Sequence, residues 1–276
     1  MTPPPAAEIQ CSTGPFWAFE LEVAMDSLAE AGFQEIELMV TRDPRTQEPD
    51  VPLRLAEERG LRIASVHAPF LVVTKTVWGI DPLAKIRRGI EMCRALGCAS
   101  MIVHPPYLWE REYAAWVRHE LGRFAAETGI TIAVETMYPK WVAGRRVGLY
   151  RWLEPRALVE AAAAVALDTS HLTVGRIDIL DAYEVLRPRL THIHLSNNAG
   201  DGRDGHLELD EGVLALDRFL AELRRTNYAG AISLELSVTR YVERADDLVT
   251  MLRQNRRFIE DHLRSDHKIS KGLPRR

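Results

Sequence analysis

Nine side chains able to ligate a metal recur along the chain. They are His67 in SVHAPF, His104 in MIVHPP, Glu135 in IAVETM, Asp168 and His171 in VALDTSH, His194 in HIHLSN, Asp204 and His206 in RDGH, and Glu235 in ISLELS. Most of them close a short apolar run with the character of a β-strand. One such residue after a strand means little. A series of them, separated by strand–helix units of roughly thirty residues, means that strands lying side by side deliver their last side chains to one pocket. Carboxylates and imidazoles bind divalent metals and carry protons in acid–base catalysis. The chemistry expected is therefore metal-centred.

Glu135, Asp168, His194 and Glu235 form an oxygen-rich set suited to Mn²⁺, Mg²⁺ or Co²⁺, and also acceptable to Zn²⁺. A buried carboxylate is costly unless paired or metal-bound, and the strand-like runs supply no matching Lys or Arg. A basic partner is the competing explanation for Glu135. His67, His104, His171, Asp204 and His206 either extend the centre to further ions or hold substrate. The loop NNAGDGRDGH also offers Asp201. His192, two residues before His194, faces the same way one layer deeper, where it supports a ligand or packs. Glu37, ending a second strand, is expected to bind a substrate hydroxyl or pair with a basic neighbour. Trp109 and Trp141 fall in loops, free either to stack on a sugar ring or to pack on their own helices. No organic cofactor is expected; the runner-up fold, an open doubly wound sheet, lacks support because no strand is followed by a G-x-G-x-x-G turn.

The elements that must position these residues alternate strictly. Strands are expected at 8–11, 35–39, 62–66, 100–104, 131–135, 164–168, 191–195 and 231–235, each short and followed by a polar or Pro/Gly break. Amphipathic helices are expected at 24–31, 53–59, 82–96, 111–127, 155–162, 211–226 and 244–263. In AEAGF, EERGL, RALGC and AETGI a glycine follows the last helical turn and precedes a strand, the usual helix exit. Such alternation predicts an α/β fold, a single closed (β/α)8 barrel of parallel strands with its active site at their C-terminal face. The barrel should span residues 8–264, between a flexible N-terminus (1–7) and a flexible basic tail (265–276, SDHKISKGLPRR).

The 276 residues, 46% of them hydrophobic, suffice for one such barrel. A net charge of −4 and a pI near 6.2 argue against a nucleic-acid partner. Cys11, Cys93 and Cys98 form no C-x-x-C pair, as expected of a reduced chain. MTPPPAAE lacks the basic start and apolar core of a signal peptide, and no apolar run reaches the ~20 residues of a membrane span. A cytoplasmic protein without a membrane partner is expected.

With these motifs in place, the chain resembles the xylose-isomerase-like TIM-barrel superfamily from about residue 8 to about residue 260. That group holds sugar and sugar-phosphate isomerases and epimerases, inosose dehydratases and endonuclease-IV-type abasic-site (AP) nucleases. In the epimerase and isomerase branch four residues hold one divalent ion. The resemblance implies that role for Glu135 in VETM, Asp168 in LDTSH, His194 in HIHLSN and Glu235 in LELS, with both glutamates also trading a proton with the sugar. His206 in DGHLELDEG resembles that branch's substrate-meeting histidine. The endonuclease branch uses nine ligands for three zinc ions, and a candidate stands at each of the nine positions. Departures surround them: Phe70 stands where a DNA-inserting tyrosine would be expected, and Pro105 and Pro106 follow His104.

The function expected is a divalent-metal-dependent isomerase or epimerase of a sugar, sugar phosphate or polyol. Glu135 and Glu235 exchange the proton, while His67, His104, His206, Glu37 and Trp109 face the substrate. The alternatives are a multi-zinc phosphodiester hydrolase, a dehydratase of polyol or inositol type, and a binding protein without catalysis. Charge separates the first two readings. Ionised Glu135, Asp168, Asp204 and Glu235 bring four negative charges; one divalent ion leaves the pocket negative, whereas three make it positive and attractive to a phosphodiester. A substrate phosphate would need basic loop residues, for which Lys75, Lys140, Arg145 and Arg146 are available. Barrels of this kind often dimerise, so a homodimer is among the expected states.

Overall fold

Runs of β-branched and small apolar residues, each too short for a stable helix, pair only with one another. In the computed structural model, which describes residues 7–264, they form the strands β1 (Glu8–Ser12), β2 (Glu35–Met39), β3 (Arg62–His67), β4 (Ser100–Val103), β5 (Thr131–Glu135), β8 (Ala164–Asp168), β9 (Leu190–Leu195) and β10 (Ala231–Leu234). They close in the order β1-β10-β9-β8-β5-β4-β3-β2, and each neighbouring pair is parallel. Every boundary lies within one residue of its sequence expectation. A separate antiparallel hairpin, β6 (Lys140–Val142) with β7 (Arg145–Val147), was not foreseen. Its residues are mostly charged and exposed, so it lacks an apolar alternation to read. The expected tail at 265–276 and the first six residues of the expected N-terminal segment lie outside the described residues.

The helices are α1 (Leu21–Glu30), α2 (Asp50–Glu58), α3 (Pro82–Leu96), α4 (Arg111–His119), α5 (Leu121–Thr128), α6 (Pro155–Ala161), α7 (Thr169–Gly175), α8 (Ile179–Leu186), α9 (Leu216–Arg225) and α10 (Ala245–Arg264). α3 shows how the sequence sets its limits. Asp81 accepts from the backbone N–H groups of Leu83 and Ala84, Pro82 opens the first turn, and Gly97 ends the helix at φ 71°. The single helix expected over 111–127 is interrupted at Glu120, whose φ is −119°. Backbone bonds still run through the break, from Glu120 to Trp116 and from Phe124 to Glu120. Residues 169–186, assigned no helix from sequence, hold α7 and α8, each started by a capping aspartate.

Strand alternation sorts the side chains. Val134, Leu167, Ile193 and Leu234 point outward into the main core beneath the helices. The residues on either side of them point into the barrel. Ile102, Ala133 and Ala166 make a small apolar plug there, separate from that core. Each lies two residues before a ligand candidate, so Ala133 and Ala166 put little bulk under Glu135 and Asp168. The candidates thus crowd the C-terminal mouth.

Candidate metal centre

Asp168 is positioned by its own helix start. Oδ1 accepts from the backbone N–H of His171 at 2.7 Å and caps α7, while the Asp168 N–H donates to Thr136 Oγ1 at 2.9 Å. These bonds fix the carboxyl and leave Oδ2 buried without a hydrogen-bond partner. His194 lies opposite in the β8–β9 register. Its Nδ1 stands 2.8 Å from Glu135 Oε1, 3.3 Å from Glu235 Oε2 and 3.9 Å from Asp168 Oδ2. Ligand atoms of Glu135, Asp168, His194 and Glu235 all lie within 4.8 Å of one another. Four strands, β5, β8, β9 and β10, bring them there.

The other histidines surround this set. His67 Nε2 and His104 Nε2 lie 3.4 and 3.2 Å from Glu135 Oε2, so both brace that carboxylate. His171 donates through Nδ1 to the carbonyl of Thr136 at 2.8 Å and turns Nε2 to Asp204 Oδ2 at 3.2 Å. Asp204 Oδ1 takes His206 Nε2 at 3.1 Å and the Ser170 hydroxyl at 2.7 Å. Three further triplets also place ligand atoms within 4.8 Å: His67/His104/Glu135 and Asp168/His171/His206, made of sequence candidates, and the fully buried Glu37/His192/His194. All nine sequence candidates therefore meet at one mouth.

Electrostatics distinguishes the carboxylates. Burial pushes Glu135 up, but His194, His104 and His67 outweigh it and hold the carboxyl well below its ordinary range. Burial leaves Asp168 and Glu235 raised, because their histidine neighbours are offset by other carboxylates. Burial also drives His104 down to about 4. His206 goes the other way: burial opposes its charge, yet Asp204 lifts it to about 10.

The loop carrying Asp204 and His206 is held by amides that sequence reading missed. Asn197 donates to the carbonyls of Leu209 and Leu214 and accepts from the N–H of Asn198 and Leu214. Asn198 bonds Ser170 Oγ and the Arg203 carbonyl. From α10, buried Asn255 accepts from the Leu209 N–H and donates to Glu208. His206 itself adopts φ 44°, an uncommon backbone for a non-glycine, and its Nδ1 faces Ser196 Oγ and the Glu235 carbonyl. The asparagine pair after the HIHLS strand was the available signal, since such side chains organise tight loops.

Several residues differ from expectation. Glu37, expected at a substrate hydroxyl or beside a basic neighbour, is fully buried beneath the centre, with Oε2 3.1 Å from His194 Nε2. Trp109 sits out on the rim at 66% exposure, stacked face to face on Tyr107, which stacks on Tyr150. Trp141 donates to the Val174 carbonyl and is covered by Arg176, so it packs locally. Asp201 is exposed and accepts from the Arg203 N–H. A hollow of about 640 Å³ beside the mouth is lined by Trp17, Phe19 and Leu71 and by none of the nine candidates.

A divalent ion fits the central four. Among the described residues no Lys or Arg pairs with Glu135, Asp168 or Glu235, which removes the competing explanation for Glu135. Three buried carboxylates with an unpartnered Oδ2 among them call for positive charge.

The family model described as xylose isomerase-like TIM barrel matches residues 25–262. An uncharacterised protein of Mycobacterium tuberculosis is 28% identical over 94% of this chain and 99% of its own. A D-tagatose 3-epimerase-like protein superposes with a TM-score of 0.68 at 21% identity, covering 92% of this chain and 98% of that one. An AP endonuclease of family 2 from Brucella melitensis gives 0.65 at 18% identity, covering 87% and 99%. At those identities the two solved structures speak for the fold.

Proposed function

The chain belongs to the xylose isomerase-like TIM-barrel family, and on that premise we propose that it is a divalent-metal-dependent isomerase or epimerase of a sugar, sugar phosphate or polyol. The observation that carries this reading is the convergence of Glu135, Asp168, His194 and Glu235, from four adjacent strands, with ligand atoms within 4.8 Å. The similarity to a D-tagatose 3-epimerase-like structure supports the same class.

Glu135, Asp168, His194 and Glu235 would hold a divalent ion, which would supply the Lewis acidity that acidifies the C–H of the hydroxyl-bearing carbon next to a substrate carbonyl. The side chains supply the proton transfer. His194 stands between Glu135 and Glu235, so the two carboxyls flank the space where substrate oxygens gather. Their affinities for protons are pushed apart, Glu135 down by its histidines and Glu235 up by burial. His67 and His104 keep Glu135 aligned from the far side. His206, charged by Asp204, ties its loop to the centre through the Asp204 carboxylate and the Glu235 carbonyl.

The two additional triplets of sequence candidates support a second reading, a multi-zinc phosphodiester hydrolase. Substrate-dependent exchange separates the two. Incubated with a panel of ketoses and polyols in D₂O, the metal-loaded protein should place deuterium at the carbon beside a carbonyl, and Glu235→Gln should abolish it. Exchange that survives Glu235→Gln, or cleavage of abasic-site DNA without any sugar exchange, would overturn the isomerase reading.

A further inference from the structure

Resting on that metal-centre reading, we propose that Glu37 is a positioning residue that fixes His194 with its Nε2–H turned into the barrel and its Nδ1 lone pair offered to the ion. An imidazole has two nitrogens, and in the neutral ring one donates while the other accepts. At His194 the two edges face different chemistry. Nδ1 looks at Glu135, Glu235 and Asp168, at 2.8, 3.3 and 3.9 Å. Nε2 looks only at Glu37 Oε2, at 3.1 Å.

Glu37, His192 and His194 also bring ligand atoms within 4.8 Å of one another, so positioning must be separated from ligation by experiment. The Glu37 side chain, His192 and His194 are all at 0% exposure, so Glu37 touches no solvent. Its contacts are histidines: the same Oε2 lies 2.9 Å from His192 Nε2, off the N–H axis needed for a good bond, and Oε1 has no hydrogen-bond partner. No Lys or Arg among the described residues pairs with it. A carboxylate in that position is tolerable only while something above it supplies positive charge. A metal-ligating histidine that passes its other N–H to a carboxylate is fixed in tautomer and orientation and becomes a stronger donor. β2 carries Glu37 to this point from across the barrel, since β1 and β10 separate it from β9.

The first test needs no variant. In the Zn²⁺-loaded wild-type protein labelled with ¹⁵N-histidine, His194 should show a protonated Nε2 in slow exchange and a metal-shifted Nδ1. A protonated Nδ1 with Nε2 on the metal would overturn the proposal. The second test measures Mn²⁺ or Co²⁺ affinity by competition with a fluorescent chelator. Glu37→Gln keeps the shape but not the charge, and affinity should fall about 10- to 100-fold. Ser65→Ala, which removes the buried bond to Gln10 in the same layer, should lower thermal stability and leave metal affinity unchanged. Wild-type affinity in Glu37→Gln, or equal losses in both variants, would overturn the positioning role while sparing the metal centre. Loss of a second ion per chain in Glu37→Gln would instead make Glu37 a ligand. A wild-type protein that binds no divalent ion would remove both readings together.

Discussion

Asp168 and His194 are register partners across β8 and β9, yet Asp168 Oδ2 and His194 Nδ1 stand 3.9 Å apart. That is too far for a hydrogen bond. Two atoms that each lie ~2.0–2.2 Å from one ion can be separated by up to about 4.4 Å, so the gap is one that an ion spans. The other oxygen of Asp168 is committed to capping α7. Asparagine caps nearly as well as aspartate, which lets the two roles be separated. Asp168→Asn should leave the melting temperature of the ion-free protein close to wild type and weaken divalent-metal binding by at least about 100-fold. Asp168→Ala should add a stability loss of about 1 kcal/mol from the missing cap. Thermal melts and metal titrations on both variants check this.

Metal uptake should depend on pH. Burial works against charge on His194, but Glu37, Glu235 and Glu135 outweigh it and hold its pKa well above the ordinary value. Ligation through Nδ1 requires that proton to leave. Apparent affinity should therefore keep rising with pH beyond the ordinary histidine range, with proton release on binding. Calorimetry in buffers of different ionisation enthalpy reads the release directly. Uptake without protons would contradict the charge pattern of the cluster.

The ion-free protein should show the opposite trend. His206, raised to about 10 despite its burial because Asp204 lies beside it, has a folded-state pKa above its unfolded one. Its stabilising contribution is complete below the ordinary histidine pKa and is lost as pH rises through about 10. Chelator-treated wild type should lose stability over that window, and His206→Asn should flatten the dependence. Urea melts across pH measure it.

The 197–214 loop should couple stability to activity. Gly212 sits at φ +111°, and a Cβ there would lie 2.5 Å from the Asn198 carbonyl and 2.7 Å from Asn197 Oδ1. Gly212→Ala should cost ~1–3 kcal/mol and shift Asp204 and His206. Asn255→Ala, 43 residues further on in the chain, removes the acceptor of the Leu209 N–H and should cost ~1–3 kcal/mol. Both variants should lower turnover more than they lower metal affinity, because the four central ligands lie on strand ends. Denaturant melts paired with turnover and metal titrations test this.

The barrel was legible because strands buried on both faces are short, apolar and punctuated by helix exits such as Gly97 and Gly129. The four central candidates could be brought together on paper because each ends or directly follows such a strand. Glu37 was placed on the correct strand with two roles open; its neighbours His192 and His194 come from β9 across the barrel, a pairing that sequence does not give. α7 hid because its residues, TSHLTVG, combine a ligand with a cap and too short a run for periodicity. Asn197, Asn198 and Asn255 were unread because their partners are backbone groups up to 46 residues away. Trp109 was legible as a rim residue; its stacking on Tyr107 was not.

The most direct test is the metal content of protein purified without chelator, counted per chain by elemental analysis. One divalent ion per chain, as Mn, Co or Mg, lost on Asp168→Asn, is the result predicted here. No divalent ion, or two to three zinc ions per chain, would contradict a single-ion isomerase centre, and the second outcome would move the enzyme to the phosphodiester hydrolases.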